Sequence, residues 1–538
     1  MKRVRAPLAF SLVTALLCAG CEAGPGLERY DVLIAGGTVI DGTGSPGYRA
    51  DVGVLDGRIV RFYRGELRTD SAARVIDATG LVVAPGFIDL HAHLDPLPEL
   101  PGGESAVRQG VTTALGGPDG GGPYPLGEYL SAREADGVGL NVAFLVGHNT
   151  VRREVMGLED RAPSADELER MKAMVARAMD DGAYGLSTGL RYTPGAFSET
   201  EEVIALARVA AERGGFYTSH LRDEGLDLID GVAEAIRIGR EAAIPVVLTH
   251  HKVVGAPMWG SSERTLAMID AARAEGIDVR ADQYPYTATY TGITILVPPW
   301  ALAGGERELL RRADDPATRD SVIAGIVWNL ENDRGGGDLS RVQLARVEWD
   351  RTLEGKTLKD WAERDGLAPT LETGARLVIE AVRRGGASAI YHVLDEADVE
   401  RIMRHPMTAI GSDGRLVEPG NGHPHPRWYG TFPRVLGHYV RERGVLALED
   451  AVRKMTSLPA ERLGLEDRGR IAEGVWADIV IFDPETVIDR ATFLEPHRYP
   501  DGIAYVLVNG IAVVDAAEYT DVRPGKVLRH AAPSPRAN

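Results

Sequence analysis

Pro85-Gly86-Phe87-Ile88-Asp89-Leu90-His91-Ala92-His93 sets the pattern for the middle of the chain. A short apolar run ends in residues of metal-ligand type. In an extended segment, residues two apart share a face, so His91 and His93 point the same way and can hold one ion. Neutral imidazole is a good zinc ligand. The same pattern, a short apolar run with polar residues at its end, recurs at Val142-Ala143-Phe144-Leu145-Val146, Gly182-Ala183-Tyr184-Gly185-Leu186, Pro245-Val246-Val247-Leu248 and Ala409-Ile410-Gly411. Amphipathic stretches lie between these runs, from Asp166 to Met179 and from Leu226 to Glu241. Pro163-Ser164 introduces the first of them, as a helix start does. Repeated strand–helix units predict an α/β fold, a TIM-like (β/α)8 barrel over residues 84–462, with a doubly wound sheet as the alternative. Residues 291–345 fit the alternation poorly and are expected to form an insertion or lid.

The ends of the chain follow a different rule. Val32-Leu33-Ile34-Ala35, the turn Gly36-Gly37 and Thr38-Val39-Ile40-Asp41-Gly42 read as strands of a small antiparallel sheet over residues 30–83. Ala477-Asp478-Ile479-Val480-Ile481-Phe482 and Tyr505-Val506-Leu507-Val508, before Asn509-Gly510, repeat it within residues 463–530. Neither segment can bury a face alone, so the two are expected to pair into one small β domain.

In an eight-fold barrel, functional side chains gather at the C-terminal ends of the strands. His220 and His250 stand at such ends, and His251 is expected to point away from its neighbour. Asp413 follows Ile410-Gly411-Ser412 and is the natural carboxylate of the set, although Asp before Gly also spells a turn. Composition is ordinary for a globular protein, 44% apolar and 26% charged. A net charge of −18 argues against a nucleic-acid partner.

These elements resemble the amidohydrolase superfamily, a resemblance that implies a metal-bearing (β/α)8 barrel with a small β-sandwich domain built from both chain ends. Gly147-His148-Asn149-Thr150, Gly185-Leu186-Ser187-Thr188-Gly189-Leu190, Ser219-His220-Leu221-Arg222-Asp223-Glu224-Gly225, Tyr284-Pro285-Tyr286 and Pro424-His425-Pro426-Arg427-Trp428-Tyr429-Gly430-Thr431 narrow the resemblance to the N-acyl-D-amino-acid deacylases, or D-aminoacylases. It spans about Tyr30 to Arg529. It implies zinc-dependent hydrolysis of linear N-acyl-D-amino acids, small molecules with a free carboxylate. It further implies that His220 and His250 hold the principal zinc and that His91 and His93 form a second, weaker site. Asp413 would be general base and acid, with Tyr192, Lys252, Tyr284 and Arg427 near the substrate carboxylate. His148 and His392 would either line the pocket or serve as buried structural histidines.

One position departs from the pattern. The family usually carries a metal-binding cysteine after Gly-Val-Thr-Thr, and here Gly110-Val111-Thr112-Thr113 leads to Asp119. A carboxylate is a competent though harder ligand, so Asp119 is read as the fifth ligand, with a Pro-Asp-Gly turn as the alternative. A carboxylated lysine is not expected, since Lys172, the lysine between His93 and His220, lies in an amphipathic helix. A dipeptidase or cyclic-amide hydrolase is the competing enzymatic reading. A non-catalytic surface lipoprotein is the competing reading from another class.

The N-terminus carries Lys2, Arg3 and Arg5, an apolar run to Leu17, and Leu17-Cys18-Ala19-Gly20-Cys21. The run is too short to span a bilayer. It resembles a lipoprotein signal over residues 1–20, cut before a lipid-bearing Cys21, with a plain secretory signal as the alternative. Export to the cell envelope or periplasm follows, with the membrane touched only through the lipid. Cys18 and Cys21 are the two cysteines of the chain, so no thiol can act in the folded body.

Overall fold

The computed structural model describes residues 29–531, so the leader, Cys18 and Cys21 lie outside the described residues. Eight parallel strands form a ring. They are Phe87–Asp89, Val111–Gly116, Asn141–Phe144 continued by Val146–Gly147, Gly185–Gly189, Phe216–His220, Val246–Leu248, Val279–Gln283 and Thr408–Ile410. Each pairs with the next, and the parallel pair Gly414–Arg415 with Ala92–His93 closes the ring between the eighth and first strands.

Helices pack outside the ring because their apolar stripes have nowhere else to be buried. Helix Ala165–Asp180 shows the local logic. Ser164 and Glu167 form a reciprocal capping box that satisfies orphan N–H groups at its start. Met171, Val175, Ala178 and Met179 are its buried face, spaced three and four residues apart. Phe87 of the first strand stacks on Phe432, with ring centroids 5.5 Å apart, and ties the barrel to helix Arg427–Arg434.

Strands from both chain ends hydrogen-bond into one nine-stranded sheet. Val82–Pro85 from the N-terminal half pairs antiparallel with Ile479–Phe482 from the C-terminal half. Two features differ from the sequence reading. Gly36-Gly37 makes no turn: a single strand, Tyr30–Val39, runs through it with a register shift between Ile34 and Gly37. Gly36, at φ +73°, absorbs the extra residue as a bulge does. Second, Ala72–Asp77 and Val82–Pro85 both lie parallel to that strand, one beside each half of it, so the sheet branches there.

The insertion is longer than the expected 291–345. A three-stranded sheet in the order Thr289–Gly292, Ser388–Tyr391, Val342–Arg346 carries helices Glu306–Asp314, Arg319–Asn332, Leu358–Arg364 and Leu371–Arg383. It has its own core around the fully buried Trp361. Helix Leu371–Arg383 and strand Ser388–Tyr391 look locally like another barrel unit. Antiparallel pairing with Thr289–Gly292 takes the strand out of the ring.

Candidate metal centre and the cavity above it

Every candidate ligand sits past the C-terminal end of a barrel strand or on its last residue. His91 and His93 follow the first strand, Asp119 the second, His220 ends the fifth, His250 follows the sixth and Asp413 the eighth. Three of them, Asp119 (φ +54°), His250 (φ +38°) and Asp413 (φ +46°), adopt left-handed backbone. Such a conformation costs a non-glycine residue about 1–3 kcal/mol and persists where neighbours hold it. The holds are visible. His250 N donates to Asp282 Oδ1 at 2.6 Å, and Asp413 N donates to His91 O at 2.8 Å. Ser187 clips the Asp119 turn, donating to Gly117 O at 2.6 Å and accepting from Gly120 N at 3.1 Å.

The side chains converge in two groups that share Asp119, one of His91, His93, Asp119 and Asp413, the other of Asp119, His220 and His250. Within each, one ligand atom per residue lies within 4.8 Å of all the others. Asp119 Oδ2 is 3.5 Å from His91 Nε2 and 3.6 Å from His93 Nε2, and Oδ1 is 3.2 Å from His250 Nε2. His93 Nε2 lies 3.2 Å from Asp413 Oδ1, and His220 Nδ1 lies 2.7 Å from His250 Nε2. A divalent metal fits this donor set. Both nitrogens of the fully buried His91 and one oxygen of Asp119 have no hydrogen-bond partner, and burying such polar atoms unpaired is costly.

Burial presses the His220 pKa down to about 3, which leaves a neutral imidazole able to donate a lone pair. Burial also opposes charge on His93, but Asp119 and Asp413 beside it carry its pKa up to about 10. Burial opposes ionisation of Asp413 as well, yet the Arg427 guanidinium holds its carboxyl below the usual range. Arg427 Nη2 lies 3.0 Å from Asp413 Oδ1.

A cavity of ≈ 370 Å³ opens above the centre, lined by Asp119, His220, His250 and Asp413 and by all four predicted substrate contacts. Tyr192 follows the fourth strand, its ring 4.6 Å from that of His220. Tyr284 follows the seventh strand, buried with no partner for its hydroxyl and with Arg427 4.5 Å over its ring. Arg427 lines the cavity, and its Nε and Nη1 are buried without a hydrogen-bond partner. Lys252 is engaged otherwise, donating to Glu224 Oε1 at 2.5 Å and lying 2.6 Å from His250 Nδ1.

The other histidines are accounted for without the cavity. His148 Nε2 meets Glu202 Oε1 at 2.8 Å, in a buried pair joined by Arg152. His392 meets Gln343 Oε1 at 3.0 Å. Neither lines the pocket. His251 turns away from the centre to Thr265 Oγ1, at 2.7 Å. Lys172 pairs with Glu169 on the outside of helix Ala165–Asp180. Two residues at the site escaped the sequence reading: Glu224, four residues past His220, and Arg334, which arrives from the inserted module.

A (β/α)8 barrel with two histidine–carboxylate groups at its strand ends defines the class of metal-dependent hydrolase barrels. The amidohydrolase family profile matches residues 74–254 and 313–514. An N-acyl-D-glutamate deacylase of Alcaligenes xylosoxydans xylosoxydans is 42% identical, over 93% of this chain and 97% of its own. A D-aminoacylase of the same organism is 39% identical, over 94% and 99%. The crystal structure of an N-acyl-D-glutamate deacylase from Bordetella bronchiseptica, complexed with zinc and a phosphonate mimic of the tetrahedral intermediate, superposes with a TM-score of 0.79 at 39% identity, over 93% of this chain and all of that one. The chain belongs to the amidohydrolase family and, within it, to the N-acyl-D-amino-acid deacylases.

Proposed function

We propose that this protein is a zinc-dependent deacylase that hydrolyses the amide bond of N-acyl-D-amino acids, giving a carboxylate and a free D-amino acid. The observation that carries the reading is Asp119, whose two oxygens reach both histidine pairs below a cavity lined by Arg427. His91, His93, Asp119, His220 and His250 would hold the metal, with carboxylate at position 119 where the family usually has thiolate. When bound, zinc supplies Lewis acidity toward the amide carbonyl and lowers the pKa of water toward neutrality.

The chain's own groups do the rest. Asp413 takes the proton of the attacking water and returns it to the departing amine, which is otherwise a poor leaving group. Arg427 offers its unpaired donors to the substrate carboxylate, and charge-assisted hydrogen bonds of this kind are the strong ones. Arg427 also tempers Asp413, 3.0 Å away. A substrate carboxylate that draws on the guanidinium weakens its hold on Asp413, so binding raises the basicity of the catalytic carboxylate when it is needed. Tyr284 and Tyr192 fix the substrate between the guanidinium and the metal. Export with a lipid on Cys21, in the cell envelope or periplasm, completes the proposal, supported by the basic start and the apolar run that precedes the cysteine.

The test compares an N-acetyl-D-amino acid with the same compound blocked as its carboxamide, on zinc-loaded and chelator-stripped enzyme. Hydrolysis of the free acid alone, and only by loaded enzyme, is expected. Equal turnover of the blocked compound would refute the role of Arg427 and turn the reading toward cyclic amides.

A further inference from the structure

His220 and His250 each turn one ring nitrogen toward the shared centre and one away. The two that face away meet a single carboxylate. Glu224 Oε1 lies 3.1 Å from His250 Nδ1, and Oε2 is the carboxylate oxygen 3.6 Å from His220 Nε2, a nitrogen buried with no hydrogen-bond partner. Each oxygen also receives a cation, Oε1 from Lys252 Nζ at 2.5 Å and Oε2 from Arg334 Nη2 at 2.8 Å. Glu224 is 3% exposed.

An imidazole that binds a metal must present a lone pair, and the acceptor for its other N–H decides which nitrogen that is. Lys252 lies 2.6 Å from His250 Nδ1. An ammonium donating there would put the ring's own proton on Nε2, the atom that faces Asp119. Glu224 Oε1 is the acceptor within reach of both, so it can take the ammonium and leave the proton on Nδ1. Arg334 follows helix Arg319–Asn332 of the inserted module and also pairs with Asp333, at 3.1 Å. Asp333 in turn receives Arg191 at 2.7 Å, so an alternating line of buried charge joins the module to the barrel.

We propose that Glu224 is a positioning residue shared by His220 and His250, and that Arg334 ties it to the inserted module, so that the seating of the module contributes to metal affinity. This rests on the reading of both histidines as ligands.

The test is zinc affinity of the full exported chain, stripped of metal and titrated with zinc against a chromophoric chelator, with no substrate present. Glu224→Gln is expected to weaken zinc about 10- to 100-fold, the usual effect of removing a partner behind a ligand. Glu224→Asp keeps the charge that Lys252 and Arg334 need but draws the oxygens back by one methylene, and it should weaken zinc too, by a smaller factor. Arg334→Met should act in the same direction, and the Glu224→Gln, Arg334→Met double variant should bind zinc no worse than Glu224→Gln alone. Wild-type affinity in both Glu224 variants, while His250→Asn loses zinc, would overturn the proposal and spare the ligand reading. Wild-type affinity in His250→Asn would overturn the ligand reading itself. Additive losses in the double variant would overturn the link to the module.

Discussion

Asp119→Ala is the perturbation that bears hardest on the metal centre. The residue supplies one of four ligand atoms to one group and one of three to the other. Its removal leaves His220 and His250 alone in the smaller group, too few for a stable site, and takes a negative charge from both. Removing one partner of a buried charged contact costs about 3–5 kcal/mol. At 1.4 kcal/mol per decade, that is a loss of roughly a hundred- to several-thousand-fold in zinc affinity. Asp119→Asn, which keeps the shape and drops the charge, should lose most of the same affinity. The assay is metal content after dialysis, followed by competition titration and activity at rising zinc. Activity restored only at high zinc is the expected pattern. Wild-type zinc content and wild-type turnover in Asp119→Ala would exclude Asp119 as a ligand and make Pro118-Asp119-Gly120 a plain turn.

Gly189 backs the Asp119 turn so closely that a Cβ added there would lie 2.2 Å from Asp119 O. Gly189→Ala should therefore displace Asp119 and lower zinc affinity while the melting temperature of the metal-free protein changes less, as parallel titrations and melts would report. Arg427→Met should raise KM for N-acyl-D-amino acids by roughly 10- to 100-fold, the loss of one or two charge-assisted hydrogen bonds; an unchanged KM would place the substrate carboxylate elsewhere. His425 is buried, with Nε2 3.0 Å from Ala288 O and Nδ1 accepting from Arg427 N, and burial first, then Arg427, holds its pKa well below 6.5. The unfolded chain takes up a proton there below pH about 6.5 and the folded one does not, so stability falls with falling pH, by about 1.4 kcal/mol per unit from this group. Denaturant melts of His425→Gln between pH 6.5 and 4.5 should show a shallower fall than wild type, and parallel slopes would contradict the assignment.

The barrel was legible because strand ends are where its chemistry must sit, and the polar residues after Asp89, Phe216-Tyr217-Thr218-Ser219, Leu248 and Ile410 declared themselves by type. His148, which follows strand Val146–Gly147, is captured by Glu202, 54 positions away, so of its two readings the buried structural histidine is the one the fold realises, through a partner no local pattern reveals. Glu224 lay inside a quoted motif and went unassigned, because its contacts to two histidines, a lysine and an arginine exist only once the loops fold together. Arg334 joins it across 110 residues and could not be foreseen from spacing. The true limit of the inserted module was hidden for a related reason. Strand Ser388–Tyr391 has the apolar run of a barrel strand, and only its antiparallel partner decides where it belongs.

The most direct measurement gives zinc-loaded protein paired N-acetyl-D- and N-acetyl-L-amino acids, with Asp413→Ala alongside. Release of free D-amino acid by the parent is expected, with little or none from the L-enantiomer and none from the variant. No release from either enantiomer despite bound zinc, or release by Asp413→Ala at the parent rate, would contradict that expectation.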